Sequence, residues 1–340
     1  MTLWQVDAIA LIMELNILNI QGVVLMRIVF MGTPDFAVPC LQSIVDSGYE
    51  VVGVVTQPDK PKGRKQVITK SPVKILAEKL GIEIYQPGKI KHQEAIERIL
   101  AWKPDIIVTA AYGQIIPVEL LETPKYKAIN VHASLLPKYR GAAPIHQSII
   151  QGEKETGITI MYMVKELDAG DILSQVKVPI EKDDTVGSLH DKLSIAGSKL
   201  LIETLKAIEK GEVTPLPQDD NLATYAPMLK REDELIDWNK TSEQIFNQIR
   251  GLNPWPVAFT YLNNEVFKIW WADMLSINHD QEPGTVLQIE KNKLIIATKD
   301  GGLSLKEVQP AGKRKMDIVS YLQGAKISIG EKLGEFNEEN

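Results

Sequence analysis

The sequence has few of the residues that build disulfide frameworks and metal centres. Its 340 residues contain one cysteine, Cys40, so neither an internal disulfide nor a cysteine-ligated zinc site can form, as suits a reducing compartment. Five histidines lie scattered without ligand spacing, and no metal is expected. Positive charge is not in excess: 38 Lys and Arg stand against 44 Asp and Glu, a net charge of −6. A nucleic-acid partner would therefore need a local basic patch. No apolar run of about 18 residues occurs, which argues against a membrane span. Residues 1–25 are apolar-rich but are interrupted by Asp7, Glu14, Asn16 and Asn19. No cationic segment precedes them and no small-residue cleavage site follows, so a secretory signal is not expected and a cytoplasmic chain is.

The remaining composition is ordinary for a globular chain, with 44% hydrophobic and 24% charged residues. The length suggests about two domains. From Met26 onward, short apolar runs alternate with helical patterns. Strands are expected at 28–30, 51–56, 83–85, 106–110 and 128–132, with helices at 36–47, 71–80 and 92–102 between them. This alternation marks an α/β fold, a Rossmann-like, mostly parallel sheet with helices on both faces. An antiparallel pair at 158–163 and 171–178 and a long helix at 189–210 complete that unit. Residues 212–230 contain Pro215, Pro217 and Pro227 and read as a linker. A helix at 242–250 and five closely spaced strands then suggest a small barrel. The expected division is an extension at 1–25 with a natural start at Met26, a catalytic unit at 26–211, a linker at 212–230, a barrel at 231–333 and a tail at 334–340.

After the first strand comes Gly32-Thr33-Pro34-Asp35-Phe36, which lacks the Gly-x-Gly-x-x-Gly fingerprint and disfavours a dinucleotide-dependent oxidoreductase. More informative is Asn130-Val131-His132-Ala133-Ser134-Leu135-Leu136-Pro137, followed by Arg140-Gly141-Ala142-Ala143-Pro144-Ile145. Asn130 and His132 are two apart on a predicted strand and leave the same face. They sit at its carboxyl end, where open α/β sheets bind ligands. Asn supplies a neutral donor for a developing oxyanion, and His exchanges protons near neutrality. With no Ser or Cys in a nucleophile elbow nearby, direct group transfer fits better than a covalent enzyme intermediate. A satisfied polar pair at a strand end is the bland alternative. Leu167-Asp168-Ala169-Gly170-Asp171 is a second candidate; taken alone it reads as a turn whose acids bond their own backbone. Finally, residues 59–74 carry six cations (Lys60, Lys62, Arg64, Lys65, Lys70, Lys74) against one anion, the densest basic stretch in the chain. Such runs are usually solvated loops.

Taken together these segments, with Asn253-Pro254-Trp255-Pro256 and Gln309-Pro310-Ala311-Gly312-Lys313, resemble the methionyl-tRNA formyltransferase family from about Met26 to Leu333. The Asn-x-His-x-Ser-Leu-Leu-Pro set with a downstream Asp is specific to folate-dependent formyltransferases but does not choose the acceptor. The resemblance implies a formyl-transfer domain and a C-terminal barrel related to the oligonucleotide-binding fold. It implies 10-formyltetrahydrofolate as donor and initiator methionyl-tRNA as acceptor, in a monomer. Asn130, His132 and Asp168 fall on the family's catalytic positions, and Ser134, Leu135, Leu136 and Pro137 on its folate loop. Lys60, Lys62, Arg64 and Lys65 fall in the loop that meets the tRNA acceptor stem, with Arg64 on its functional Arg. Two features depart from the pattern. Residues 1–25 have no counterpart, and 231–340 carry 13 cations against 17 anions. Any tRNA contact there needs a local face, such as Lys313, Arg314 and Lys315.

The expected chemistry is attack of an amine on the formyl carbon, with Asn130 and His132 donating to the formyl oxygen and Asp168 relaying protons through His132. Leu135 and Leu136 would pack on the pterin, the competing reading being plain core. Rival readings are an amino-sugar-nucleotide formyltransferase, which shares the catalytic set without needing the basic stretch, and a non-catalytic folate- or nucleotide-binding module.

Overall fold

The computed structural model describes residues 26–62 and 66–334. The expectations for 1–25, Arg64, Lys65, the Lys62 side chain and 335–340 lie outside the described residues. The strands up to residue 179 are β1 (Arg27–Gly32), β2 (Glu50–Val55), β3 (Lys60–Lys62), β4 (Val67–Thr69), β5 (Ile84–Tyr85), β6 (Ile106–Ala110), β7 (Ala128–His132), β8 (Glu155–Tyr162) and β9 (Ile172–Pro179). Seven of them form one sheet in the order β5-β2-β1-β6-β7-β8-β9. The pairs from β5 to β7 are parallel and the last two antiparallel.

Burial explains the order. β6 is buried at all five residues and β1 at five of six, so both read as continuous apolar runs in the middle of the sheet. Along β1, Ile28 and Phe30 join one core while Val29 and Met31 join the other. The first core is covered by helices Val38–Asp46, Pro72–Leu80 and Val186–Lys210, the second by Gln93–Leu100 and Val118–Glu122. Helix Val186–Lys210 begins in a capping box, Thr185 with Ser188, and buries Leu189, Leu193, Leu201, Leu205 and Ile208 at helical spacing. Cys40 lies in the first core, where burial pushes its thiol up to about 12 and leaves it inert.

Two expectations change. The helix expected from Phe36 splits into a 3-10 turn, Asp35–Ala37, and an α-helix from Val38 with Pro39 in its first turn, where a missing N–H is harmless. The basic stretch is a hairpin rather than a loop: Lys60 pairs with Thr69 and Pro61 with Ile68. The overlooked signal is the β-branched run Val67-Ile68-Thr69.

The second sheet contains β10 (Phe259–Leu262), β11 (Glu265–Leu275), β12 (Val286–Glu290), β13 (Lys293–Ala297), β14 (Gly302–Pro310) and β15 (Met316–Asp317), all antiparallel. Its path is β10-β11-β14-β13-β12, with β15 on β14. The chain end joins the two free edges. Val286 N donates to Glu331 O (2.8 Å), Leu333 N to Gly284 O (2.9 Å) and Gly334 N to Tyr261 O (2.9 Å). The barrel closes through residues 330–334 and not through a direct β12–β10 pair.

The two sheets meet through helices Pro144–Ile150 and Ser242–Gly251. His146 Nδ1 donates to Gly251 O at 2.8 Å, and burial pushes this imidazole down. Arg250 is buried; its Nη1 donates to Glu181 O and Asp184 O, both at 3.1 Å. Among the described residues no helix is long and apolar enough to cross a membrane.

Candidate active site

Asn130 and His132 leave β7 on the same face as Ala128, while Ile129 and Val131 point into the opposite core. Thr109 lies beside Asn130 in register on β6. Its hydroxyl donates to Asn130 Oδ1 at 2.8 Å. With Oδ1 taken, the amide keeps Nδ2 as a donor at the strand's open end.

His132 is only 6% exposed. Its Nε2 faces the carbonyl oxygen of Tyr139 at 3.0 Å, an acceptor that fixes the ring proton on Nε2. The other ring nitrogen, Nδ1, faces Asp168 Oδ2 at 3.6 Å. That oxygen also accepts the backbone N–H of Gly141 at 2.8 Å. Asp168 holds a left-handed conformation, φ +48°. Its turn is possible because Gly170 has no side chain: a Cβ there would fall on the carbonyl oxygen of Tyr162. Thus the structure brings Asn130, His132 and Asp168 together, although Asp168 lies 36 positions beyond His132 in the chain.

Ser134, Leu135, Leu136 and Pro137 fold over the neighbouring strands. Ser134 is fully buried and its hydroxyl donates to Lys138 O. Thr159 on β8 donates to Ser134 O (2.7 Å) and accepts from Leu136 N (3.1 Å). Gln175 on β9 donates to Leu136 O at 2.9 Å. Leu136 is buried with Met161 and Ile172, and Leu135 rests over Gly157. The Leu136 side chain packs against Met161 and Ile172, and its loop is drawn down by Thr159 and Gln175. Both of these polar anchors escaped the sequence reading, since each looks like an ordinary strand residue.

Arg140, quoted in the motif without a role, is 4% exposed. It bonds to Gln218 and Asp220 in the segment expected to be a free linker. That segment is strapped onto the site. Leu216 pairs with Ile172, Arg140 N donates to Thr224 O, and Ala226 N donates to Arg140 O, each at 2.8 Å. Gly141, at φ +120°, lets Ala226 approach, since a Cβ would meet Ala226 O at 2.7 Å. Tyr139 donates its hydroxyl to Glu153 at 2.8 Å, and burial, with Glu153 adding to it, pushes the phenol above its ordinary value.

The basic hairpin is not in the same cluster. Lys60 is exposed at its start, whereas Lys74 pairs with Asp59 (2.7 Å) and Lys70 with Glu78 (2.8 Å). The hydrogen bond from Lys74 is the main cause holding Asp59 below the usual carboxylate range. Among the described residues no cluster of three or more His, Cys, Asp or Glu side chains is arranged to hold a metal.

A formyl transferase family model matches residues 26–205, and a formyl transferase C-terminal domain model matches 228–326. A methionyl-tRNA formyltransferase of Bacillus subtilis strain 168 is 58% identical over 315 residues, 92% of this chain and 99% of that protein. One from Bacillus velezensis is 56% identical with the same coverage. Among solved structures, the N-formyltransferase from Helicobacter canadensis in complex with folinic acid and dTDP-3-aminofucose has a TM-score of 0.60 at 21% identity, covering 86% of this chain and 100% of that one. That likeness speaks for the fold. The family models span both sheets and the relatives run along nearly their full length, so the chain belongs to the formyl transferase family, on the branch whose members are named methionyl-tRNA formyltransferase.

Proposed function

We propose that the protein transfers the formyl group of 10-formyltetrahydrofolate to the α-amino group of methionyl initiator tRNA. The observation that carries this reading is the convergence of Asn130, His132 and Asp168 at the carboxyl end of β7 in a chain with methionyl-tRNA formyltransferase relatives. The residues fit the donor chemically: an outward amide N–H and an imidazole lone pair backed by a carboxylate are what acyl transfer to an amine needs. The folate supplies the activated formyl carbon.

Asn130 Nδ2 stabilises the negative charge that builds on the formyl oxygen, a contribution of about 10²–10³ in rate. His132 was expected to share that task, but its Nε2 proton is engaged by Tyr139 O. The geometry favours another role. His132 Nδ1 takes the proton that the attacking amine sheds, and Asp168 stabilises the imidazolium that results. The same proton, passed on, serves the leaving nitrogen. Ser134, Leu135, Leu136 and Pro137 shape the wall beside His132. Residues 26–211 form the catalytic unit, 212–230 the strap, and 231–333 the tRNA-facing barrel of a cytosolic monomer.

The basic hairpin supplies phosphate contacts through Lys60, Lys62, Arg64 and Lys65. The bonds of Asp59 and Gln86 with Lys74 support this by fixing the residue before Lys60 beside helix Pro72–Leu80. The test is Arg64→Ala with methionyl-tRNA and 10-formyltetrahydrofolate as substrates. We expect KM for the tRNA to rise about tenfold and its salt dependence to weaken by roughly one charge, with KM for folate unchanged. An unchanged tRNA KM at moderate salt would remove the hairpin from the tRNA site.

A further inference from the structure

We infer that Gln218 is a positioning residue for the formyl-transfer reaction, acting through Asp168; this rests on reading Asp168 and His132 as the reacting centre. Gln218 lies in the segment between the two sheets. From Thr214 to Asp220 every residue except Gln218 is exposed. Its Oε1 accepts from Arg140 Nε (3.1 Å) and Nη2 (2.8 Å). Its Nε2 donates to Asp168 O (2.9 Å) and Gly170 O (2.7 Å). The amide orientation is forced, because a guanidinium can only donate and a carbonyl can only accept.

The Asp168 turn is thereby gripped at both ends. Gly141 N–H holds the carboxylate, and Gln218 gathers the carbonyls of residues 168 and 170 onto one NH₂ group. The anchor behind Gln218 is Arg140, next in sequence to Gly141, so one short loop governs both grips. The left-handed Asp168 needs such support, as a non-glycine residue at positive φ is held by its surroundings. Anchoring the strap is not what Gln218 is needed for. Leu216 and Ile172 exchange two backbone hydrogen bonds on one side of it, and Thr224 and Ala226 pair with Arg140 on the other. What Gln218 adds is the direction of the Asp168 carboxylate toward His132 Nδ1.

Two variants separate the two arms of Gln218. Gln218→Glu keeps the oxygen that accepts from Arg140 but replaces the NH₂ group by an oxygen facing two carbonyls. Gln218→Ala removes both arms. Each should lower kcat about 10- to 100-fold, the scale on which a displacement near 1 Å acts, with KM for tRNA and folate held within about twofold. Each should also be silent in an Asp168→Ala background, because the route runs through Asp168. A purely structural residue would instead lower the melting temperature and leave kcat alone. Wild-type kcat in Gln218→Glu, or an undiminished loss in the Asp168→Ala background, overturns the inference. Wild-type kcat in Asp168→Ala itself would overturn the reading beneath it, a distinct result.

Discussion

Asp168→Ala is expected to lower kcat by about 10³–10⁴-fold, toward the upper end for loss of assisted proton transfer, while KM for folate stays within about threefold. The carboxylate has two duties in the structure. It faces His132 Nδ1 at 3.6 Å, and it holds Gly141 N–H at 2.8 Å. Without it, an imidazolium at His132 would sit in a site that is 6% exposed with no counter-charge, so proton uptake from the amine becomes unfavourable. Asp168→Asn separates the duties. Asn tolerates the left-handed conformation and still accepts from Gly141, but it carries no charge. It should fall nearly as far as Ala. If Asp168→Asn instead turns over like the wild type, the carboxylate serves geometry alone and its charge has no part in the reaction.

Asn130→Ala comes next in size, with an expected loss of about 10²–10³-fold in kcat. The physical reason is the arrangement on β6 and β7. Thr109 occupies Oδ1, so the amide is preorganised to offer Nδ2 and does not reorganise as charge develops. Asn130→Asp gives the sharper comparison. Thr109 can still donate to it, but an acceptor replaces the donor and faces the developing oxyanion, so it should be at least as poor as Ala. Single-turnover rates with saturating substrates measure this directly. An Asn130→Asp enzyme better than Asn130→Ala would place the oxyanion elsewhere.

The sequence was informative where local chemistry repeats. Short apolar runs marked β1 and β6 as strands, and the two-residue spacing of Asn130 and His132 put both on one face. Pro72 in the first turn and Gly81 just past the end marked the helix expected at 71–80. What stayed hidden is non-local. Nothing in residues 212–230 announces that Gln218 will meet Arg140, 78 positions earlier, because a half-buried glutamine among prolines looks like any linker residue. The Tyr139 carbonyl on His132 is a backbone group and leaves no trace in residue type. Leu136 became core because Thr159 and Gln175, on strands formed later in the chain, pull its loop inward. Barrel closure depends on backbone bonds of residues 330–334, which leave no trace in residue type.

The most direct test of the whole account offers the purified protein labelled 10-formyltetrahydrofolate with methionyl initiator tRNA and amino-sugar nucleotides in the same reaction. Label is expected on the methionyl amine and none on the sugars, with transfer lost as salt is raised. Label on a sugar, with the methionyl-tRNA left unmodified, would contradict it: the roles of Asn130, His132 and Asp168 would survive, and the acceptor assigned to the hairpin and barrel would not.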